Sequence, residues 1–284
     1  MSAAHTNDSE ASTEYLFDHD GEHAETRFRD LATLYDAHTI RHLHQRGIEE
    51  GWSCLEVGGG GSITSWLCAR VGVTGRVLAT HVEPRFLQAP SFPNLDVRRH
   101  NLHKEPLPTG EFDLVHARLV LLHLPERESA LRQMVAALKP GGWIVIDEFD
   151  DLSFLPDPTV NPAEVSPRVR HAFQQVAAFA GFDLPSGRSL PHQLQSNGLV
   201  NTGAETSVFV WKARSAAARL LKLSCKELRQ ATGWRLMSAS EFEADMKRVD
   251  EQDFFTLSQK LWTAWGQLPE AEKAKGSGNR RVTY

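Results

Sequence analysis

The chain has 284 residues, 41% hydrophobic and 24% charged, with a formal net charge of −5. That is ordinary globular composition, enough for a sizeable core in one α/β domain with additions. No long basic run is present, which argues against a nucleic-acid partner, and no apolar run approaches the roughly 20 residues of a membrane span.

Residues 1–20 are polar and acidic; they predict a disordered tail, neither a secretory nor a transit peptide. From Glu22 to Gly47 the apolar positions Phe28, Leu31, Leu34, Tyr35, Ile40 and Leu43 predict a helix capped by glycine. "SCLEV" reads as a buried strand and "SITSWLCARV" as a helix. "GRVLATHV", "NLDVRRHN" and "FDLVHARLV" read as three further strands, and "RESALRQMVAALK" as a helix. A turn at Pro140–Gly142 leads into a fifth strand, "WIVIDEF". This alternation predicts an α/β fold with a doubly wound, mostly parallel sheet. Residues 151–197 are proline-rich, with an apolar helix around Val169 to Phe182, and predict a helical insertion that serves as a substrate lid. "TGAETSVFVWKA" and "DFFTLSQKLWTAWG" read as later strands, and "RSAAARLLKL" as an amphipathic helix with one packed face. Residues 21–268 thus form one domain, with a loose tail over 269–284. Trp66 and Trp143 are core candidates. Cys54, Cys68 and Cys225 are odd in number and lack metal-ligand spacing, so they read as reduced thiols of a cytoplasmic protein.

Four consecutive glycines, Gly58 to Gly61, follow the first strand, where open parallel sheets bind ligands. Bare backbone there lets a ligand approach the main chain and the start of the next helix. A dinucleotide fingerprint requires glycine at the sixth position from Gly58, where Ile63 stands. The pattern acid-x-Gly-x-Gly-x-small is instead filled by Glu56, Gly58, Gly60 and Ser62. A carboxylate on the strand suits a cationic ammonium better than a pyrophosphate. A plain strand-to-helix turn is the bland alternative.

Together, "LEVGGGGSITSWL", "GEFDLVHARLVLLHLP" and "ALKPGGWIVIDEF" resemble the class I S-adenosylmethionine-dependent methyltransferases, over about Thr26 to Phe149. The likeness is greatest to the small-molecule enzymes of bacterial metabolism, secondary metabolism included. It implies S-adenosyl-L-methionine as cofactor and a small-molecule acceptor, most simply methylated on oxygen, with no membrane partner; a homodimer is compatible with it. Glu56 would hold the methionyl ammonium, with the backbone from Gly58 to Gly60 beneath the cofactor. Asn101 and Leu102 would meet the adenine, and His116 would lie near the methionyl arm. His123, in "LLHLP", would be the general base, with a structural histidine as the alternative. In two places the chain departs from the family. His81 stands where an acid usually accepts both ribose hydroxyls, with Glu83 two residues on as a substitute, and Asn101 replaces a common acid. Each exchange costs about 1–3 kcal/mol of cofactor binding if uncompensated. They keep open a rival reading, in which a methyltransferase-like protein binds the cofactor but catalyses another reaction, such as a cyclisation, or only binds ligand. Asp147 and Glu148 end the fifth strand facing opposite sides; Arg118 is a candidate orienter of an acidic substrate, and His192 a remote candidate. The acidic run Asp147–Asp151 gives no metal site by itself, and no metal is expected.

Overall fold

Ser53–Val57 forms β1, buried from Cys54 onward, and Ser62–Val71 forms α2, which starts immediately after the glycines. The computed structural model describes residues 21–59, 61–83, 91–153, 171, 174–175, 177–178, 181–232 and 237–271. The first twenty residues, almost all of the C-terminal tail, most of the helix expected around Val169 to Phe182, and Gly60 lie outside the described residues. The N-terminal helix α1 spans Gly21–Gln45. Further strands are β2 (Arg76–His81), β3 (Leu95–Arg99) and β4 (Phe112–Arg118). Then come α3 (Arg127–Ala136) and β5 (Leu138–Asp150). The second half contains α4 (Ser186–Ser196), β6 (Val200–Ser207), β7 (Val210–Lys212), α5 (Ala216–Thr232), α6 (Ala239–Arg248), β8 (Phe255–Leu257) and β9 (Lys260–Gln267).

Seven strands form one sheet in the order β3-β2-β1-β4-β5-β9-β6. The pairs β1–β2, β1–β4, β2–β3 and β4–β5 are parallel, whereas β9 runs antiparallel to both β5 and β6. The doubly wound, mostly parallel sheet is therefore present. Its central strands are apolar on both faces because helices cover both. Leu55, Val115, Ile144 and Ile146 pack with Leu131 and Met134 of α3 and Leu190 and Leu194 of α4. Cys54, Leu114 and Val145 point the other way, onto Ile63, Leu67 and Val71 of α2 and Leu43 of α1. Trp66 and Trp143 are half-buried against this second cluster. All three cysteines are free and buried.

Two local readings need correction. The Pro140–Gly142 turn is absorbed into β5, where the β4–β5 register shifts between Phe112 and Leu114. The two late segments, each expected as one strand, each divide. β7 and β8 leave the main sheet and pair with each other, beside a separate core of Ala218, Cys225, Phe242, Met246, Val249 and Phe254.

Candidate active site

The carboxyl ends of β1, β2, β4 and β5 and the turn after β3 open onto a cavity of about 230 Å³. Val57 and Gly58 come from β1, Thr80 and His81 from β2, and His100, Asn101 and Leu102 from the turn after β3. Arg118 ends β4, with Leu119, Val120 and His123 after it; Phe149 lies near the end of β5 and Asp151 directly follows that strand. The rest of the wall is helical: Arg27, Phe28, Leu31 and Tyr35 of α1, and Leu220, Leu221, Ser224 and Cys225 of α5, with Trp211 of β7. Arg27 pairs with Glu227, and Asp30 takes a fork from Arg219 at 2.6 and 3.1 Å, so α1 and α5 close over the site as one unit. Of the 151–197 segment, Asp151, Gln174 and Phe182 reach the cavity, while α4 packs under the sheet.

The glycine bend is built for closeness. Gly58 has φ +66°, and a Cβ there would lie 2.5 Å from Val120 Cγ2. A Cβ on Gly59 would lie 2.5 Å from Glu56 Cγ. Val120 is held in turn by Glu148, whose Oε1 accepts the Val120 and Leu121 N–H groups at 2.9 and 2.7 Å. Burial raises the Glu148 carboxyl to about 8 against these hydrogen bonds. Leu119, at φ +56°, is a strained non-glycine residue on the same turn.

Behind the wall runs a buried polar chain. The parallel register sets Glu56 opposite His116; His116 Nδ1 lies 2.6 Å from Glu56 Oε2, and its Nε2 lies 3.6 Å from Asp147 Oδ2. Asp147 also accepts from Thr39 Oγ1 at 2.6 Å and from Thr263. Burial alone would lower the His116 pKa, but Glu56 and then Asp147 raise it to about 9. Burial opposes ionisation of Asp147, and His116 with the two threonines brings it to about 2. An imidazolium thus lies between two carboxylates.

Among the expected site residues, Gly58, His81, Asn101, Leu102 and His123 line the cavity. Glu56 and His116 stand one layer behind it, joined to each other. Ser62 begins α2 and Glu83 follows β2, neither on the wall. His81 Nδ1 accepts the Glu83 N–H at 2.9 Å, and Asn101 Oδ1 accepts the His103 N–H at 3.0 Å. His123 is half-buried on the cavity wall, edge-on to Phe182 with ring centroids 4.6 Å apart. Burial, then Arg27, lowers its pKa to about 3, so the imidazole is neutral at physiological pH. Arg118 is already paired with Asp36 at 2.9 Å, and the exposed ring of His192 meets Ser196 on α4, away from the cavity.

The acids of the 147–151 run part company. Asp147 joins His116, Glu148 the β4 turn, Asp150 the Arg188 fork at 2.8 Å on both arms, and Asp151 the cavity. They cannot converge on one cation. His38, His42 and Glu205 do place ligand-type atoms within 4.8 Å of one another. There the Arg41 guanidinium bonds Glu205 and lies 3.1 Å from His42 Nε2 and 3.4 Å from His38 Nδ1, filling the place with a cation of its own. No described helix is long and apolar enough to cross a membrane.

Phe28, Leu31 and Tyr35 carried a sequence signal only as a helix face, and Asp151 only as part of an acidic run. Nothing local marked Trp211 or Leu220 as cavity residues.

A strand order of 3-2-1-4-5 followed by an antiparallel strand between the fifth and the last, with a glycine bend and acid at β1, defines the class I S-adenosylmethionine-dependent methyltransferases. A family model described as "Methyltransferase domain" matches residues 23–203, and the chain belongs to that family. S-adenosylmethionine is the cofactor of this class. The chain is 35% identical over 97 residues to methyltransferase str2 of Strobilurus tenacellus, covering 34% of this chain and 35% of that protein. It is 30% identical over 112 residues to the ubiquinone/menaquinone biosynthesis C-methyltransferase UbiE of Salmonella newport, covering 36% and 45%. It therefore spans less than half the length of the curated relatives it matches. Among solved structures, the YcgJ protein of Bacillus subtilis aligns with TM-score 0.55 at 12% identity, over 83% of this chain and all of that one. A Haemonchus contortus phosphoethanolamine N-methyltransferase in complex with S-adenosylhomocysteine aligns with TM-score 0.53 at 11% identity, over 87% and 58%. These two show the fold.

Proposed function

We propose that the protein transfers a methyl group from S-adenosylmethionine to an oxygen of a small-molecule metabolite. The observation that carries this reading is the glycine bend: Gly58 faces the cavity at a φ only glycine adopts readily, and a Cβ would fill the approach to the main chain. The residues present fit the cofactor. Glu56, behind the wall at Gly58 and paired with His116, would hold the methionyl ammonium through a bridging water. On the wall, His81 falls to the ribose, and Asn101 and Leu102 to the adenine. When bound, the cofactor supplies a sulfonium-activated methyl group, so the chain's task is to align the acceptor and exclude water. The apolar cover of α1 and α5 suits that task, and the neutral His123 imidazole on the wall offers a hydrogen-bond acceptor that positions the acceptor molecule.

Calorimetric titration with S-adenosylhomocysteine is expected to show saturable binding; no saturable heat at millimolar ligand overturns the reading. With an acceptor that supports release of S-adenosylhomocysteine, His123→Ala is expected to lower turnover about tenfold, by loss of a hydrogen bond that positions the acceptor. Its affinity for S-adenosylhomocysteine should stay nearly unchanged. Altered affinity with unchanged turnover reassigns that residue.

A further inference from the structure

The charges on the cavity wall are unevenly committed. Arg27 and Arg118 are the Lys or Arg side chains that line it among the described residues. Arg27 is paired with Glu227 and donates to Ser224 at 3.3 Å; Arg118 is paired with Asp36 and donates to Thr39 at 3.3 Å. Neither cation is left over for an anionic ligand. Among the described residues Asp151 is the one carboxylate on that wall, and it is only 8% exposed. Its main chain is pinned on both sides. The N–H donates to the Leu184 carbonyl at 2.8 Å, and the carbonyl accepts Gln174 Nε2 at 2.8 Å. Its neighbour Asp150 is turned into the Arg188 fork. Among the described residues no hydrogen bond or ion pair takes up the Asp151 carboxylate, although Phe149, Tyr35, Trp211 and Leu220 enclose the same space. A buried acid left without a partner in an apolar chamber is costly unless a ligand completes it.

We infer that Asp151 is the acceptor-recognition group: its carboxylate receives an O–H or N–H of an apolar, non-anionic acceptor, and the chamber rejects carboxylates and phosphates. This inference rests on the methyltransferase reading above and names the substrate class of that same site. When the acceptor atom is deprotonated, its O–H or N–H bond breaks, the electron pair stays on that atom, and the proton passes to an Asp151 oxygen. Burial, then Asp150, pushes the Asp151 carboxyl up to about 7, close to the pH at which proton transfer is most effective. His123, lowered to about 3, holds a proton far less well. Tyr35, Arg118 and Asp150 also face Asp151. Tyr35 of α1 feels both Arg118 and Asp151, and burial pushes its phenol up so that it stays protonated. Arg118 of β4 and Asp150 of β5 are held in ion pairs.

The test titrates tyramine, para-ethylphenol and para-ethylbenzoate into protein saturated with S-adenosylhomocysteine, following tryptophan fluorescence, since Trp211 lines the chamber. Tyramine and para-ethylphenol are expected to bind at least about tenfold more tightly than para-ethylbenzoate. Asp151→Asn is expected to weaken tyramine about tenfold, with Asp151→Glu recovering part of the loss. Tyramine affinity should rise between about pH 5.5 and 8.5 in the wild type and stay flat in Asp151→Asn. Para-ethylbenzoate binding as tightly as the phenol, or unchanged tyramine affinity in a folded Asp151→Asn, overturns the inference. Should that variant fail to fold, the wild-type ranking and pH profile decide alone. Because S-adenosylhomocysteine affinity is measured first, its absence sinks the methyltransferase reading, whereas its presence without probe discrimination sinks only the role of Asp151.

Discussion

Replacing His116 with leucine is expected to destabilise the protein by about 3–5 kcal/mol, because it strips the shared partner from two buried carboxylates. Glu56 and Asp147 are 2% and 0% exposed, and His116 is the positive charge between them. The pH dependence has a definite sign. The folded state raises His116 from 6.5 to about 9, so folding takes up a proton between these values. The stability it confers is full below about 6.5 and is lost as pH rises through about 9. Thermal midpoints should therefore fall on the alkaline side in the wild type, and this component should be missing in His116→Leu. Asp147, lowered from 3.8 to about 2, acts at the other end: its contribution is present above about 3.8 and is lost as pH falls through about 2. A His116→Leu protein with wild-type stability and an unchanged alkaline limb would show that the two carboxylates are neutralised elsewhere. Because Glu56 is the acid beneath the glycine bend, the same variant should also lose affinity for S-adenosylhomocysteine.

The second large effect is expected at Gly58. Gly58→Ala must place an L-residue at φ +66° and push a methyl group to 2.5 Å from Val120 Cγ2. The first costs about 1–2 kcal/mol and the second about 1–3 kcal/mol. Gly110 provides the control: it has φ +69° with nothing within 4 Å of an added Cβ, so Gly110→Ala should show the backbone penalty alone. Chemical denaturation of both variants separates the two terms. Combining Gly58→Ala with Val120→Ala should return the steric part, measured as S-adenosylhomocysteine affinity. Equal destabilisation of the two glycine variants would mean that the bend yields to the side chain.

The first half of the fold was readable because glycine and strand-to-helix alternation punctuate it. "SCLEV" and "SITSWLCARV" coincide with β1 and α2 residue for residue. The second half was harder, for a physical reason: a strand's local pattern does not say which sheet it joins. "TGAETSVFVWKA" reads as one strand, yet it breaks near Val208 and Phe209 and serves two sheets. One available signal went unused. Ser238 and Glu241 form a capping box at the start of α6, and the Ser-x-x-Glu spacing is visible in the sequence. At the site, local sequence indicated the residues at strand ends, such as Gly58, Asn101 and His123. It could not indicate the roof, because Phe28, Tyr35 and Leu220 acquire their roles only when α1 meets α5. Nor did it show that Glu56 and His116 pair, a consequence of the β1–β4 register.

The position of β9 bears on biosynthesis. This strand, ending at Gln267, is wedged between β5 and β6 and holds both. Until it emerges from the ribosome, β5 and β6 each present an unsatisfied edge to the surroundings. Closure must then join residues more than a hundred positions apart, as in the pairing of Trp143 with Gln267, a slow step by loop entropy. Nascent chains stalled before this strand are accordingly the species most exposed to aggregation and to chaperone capture.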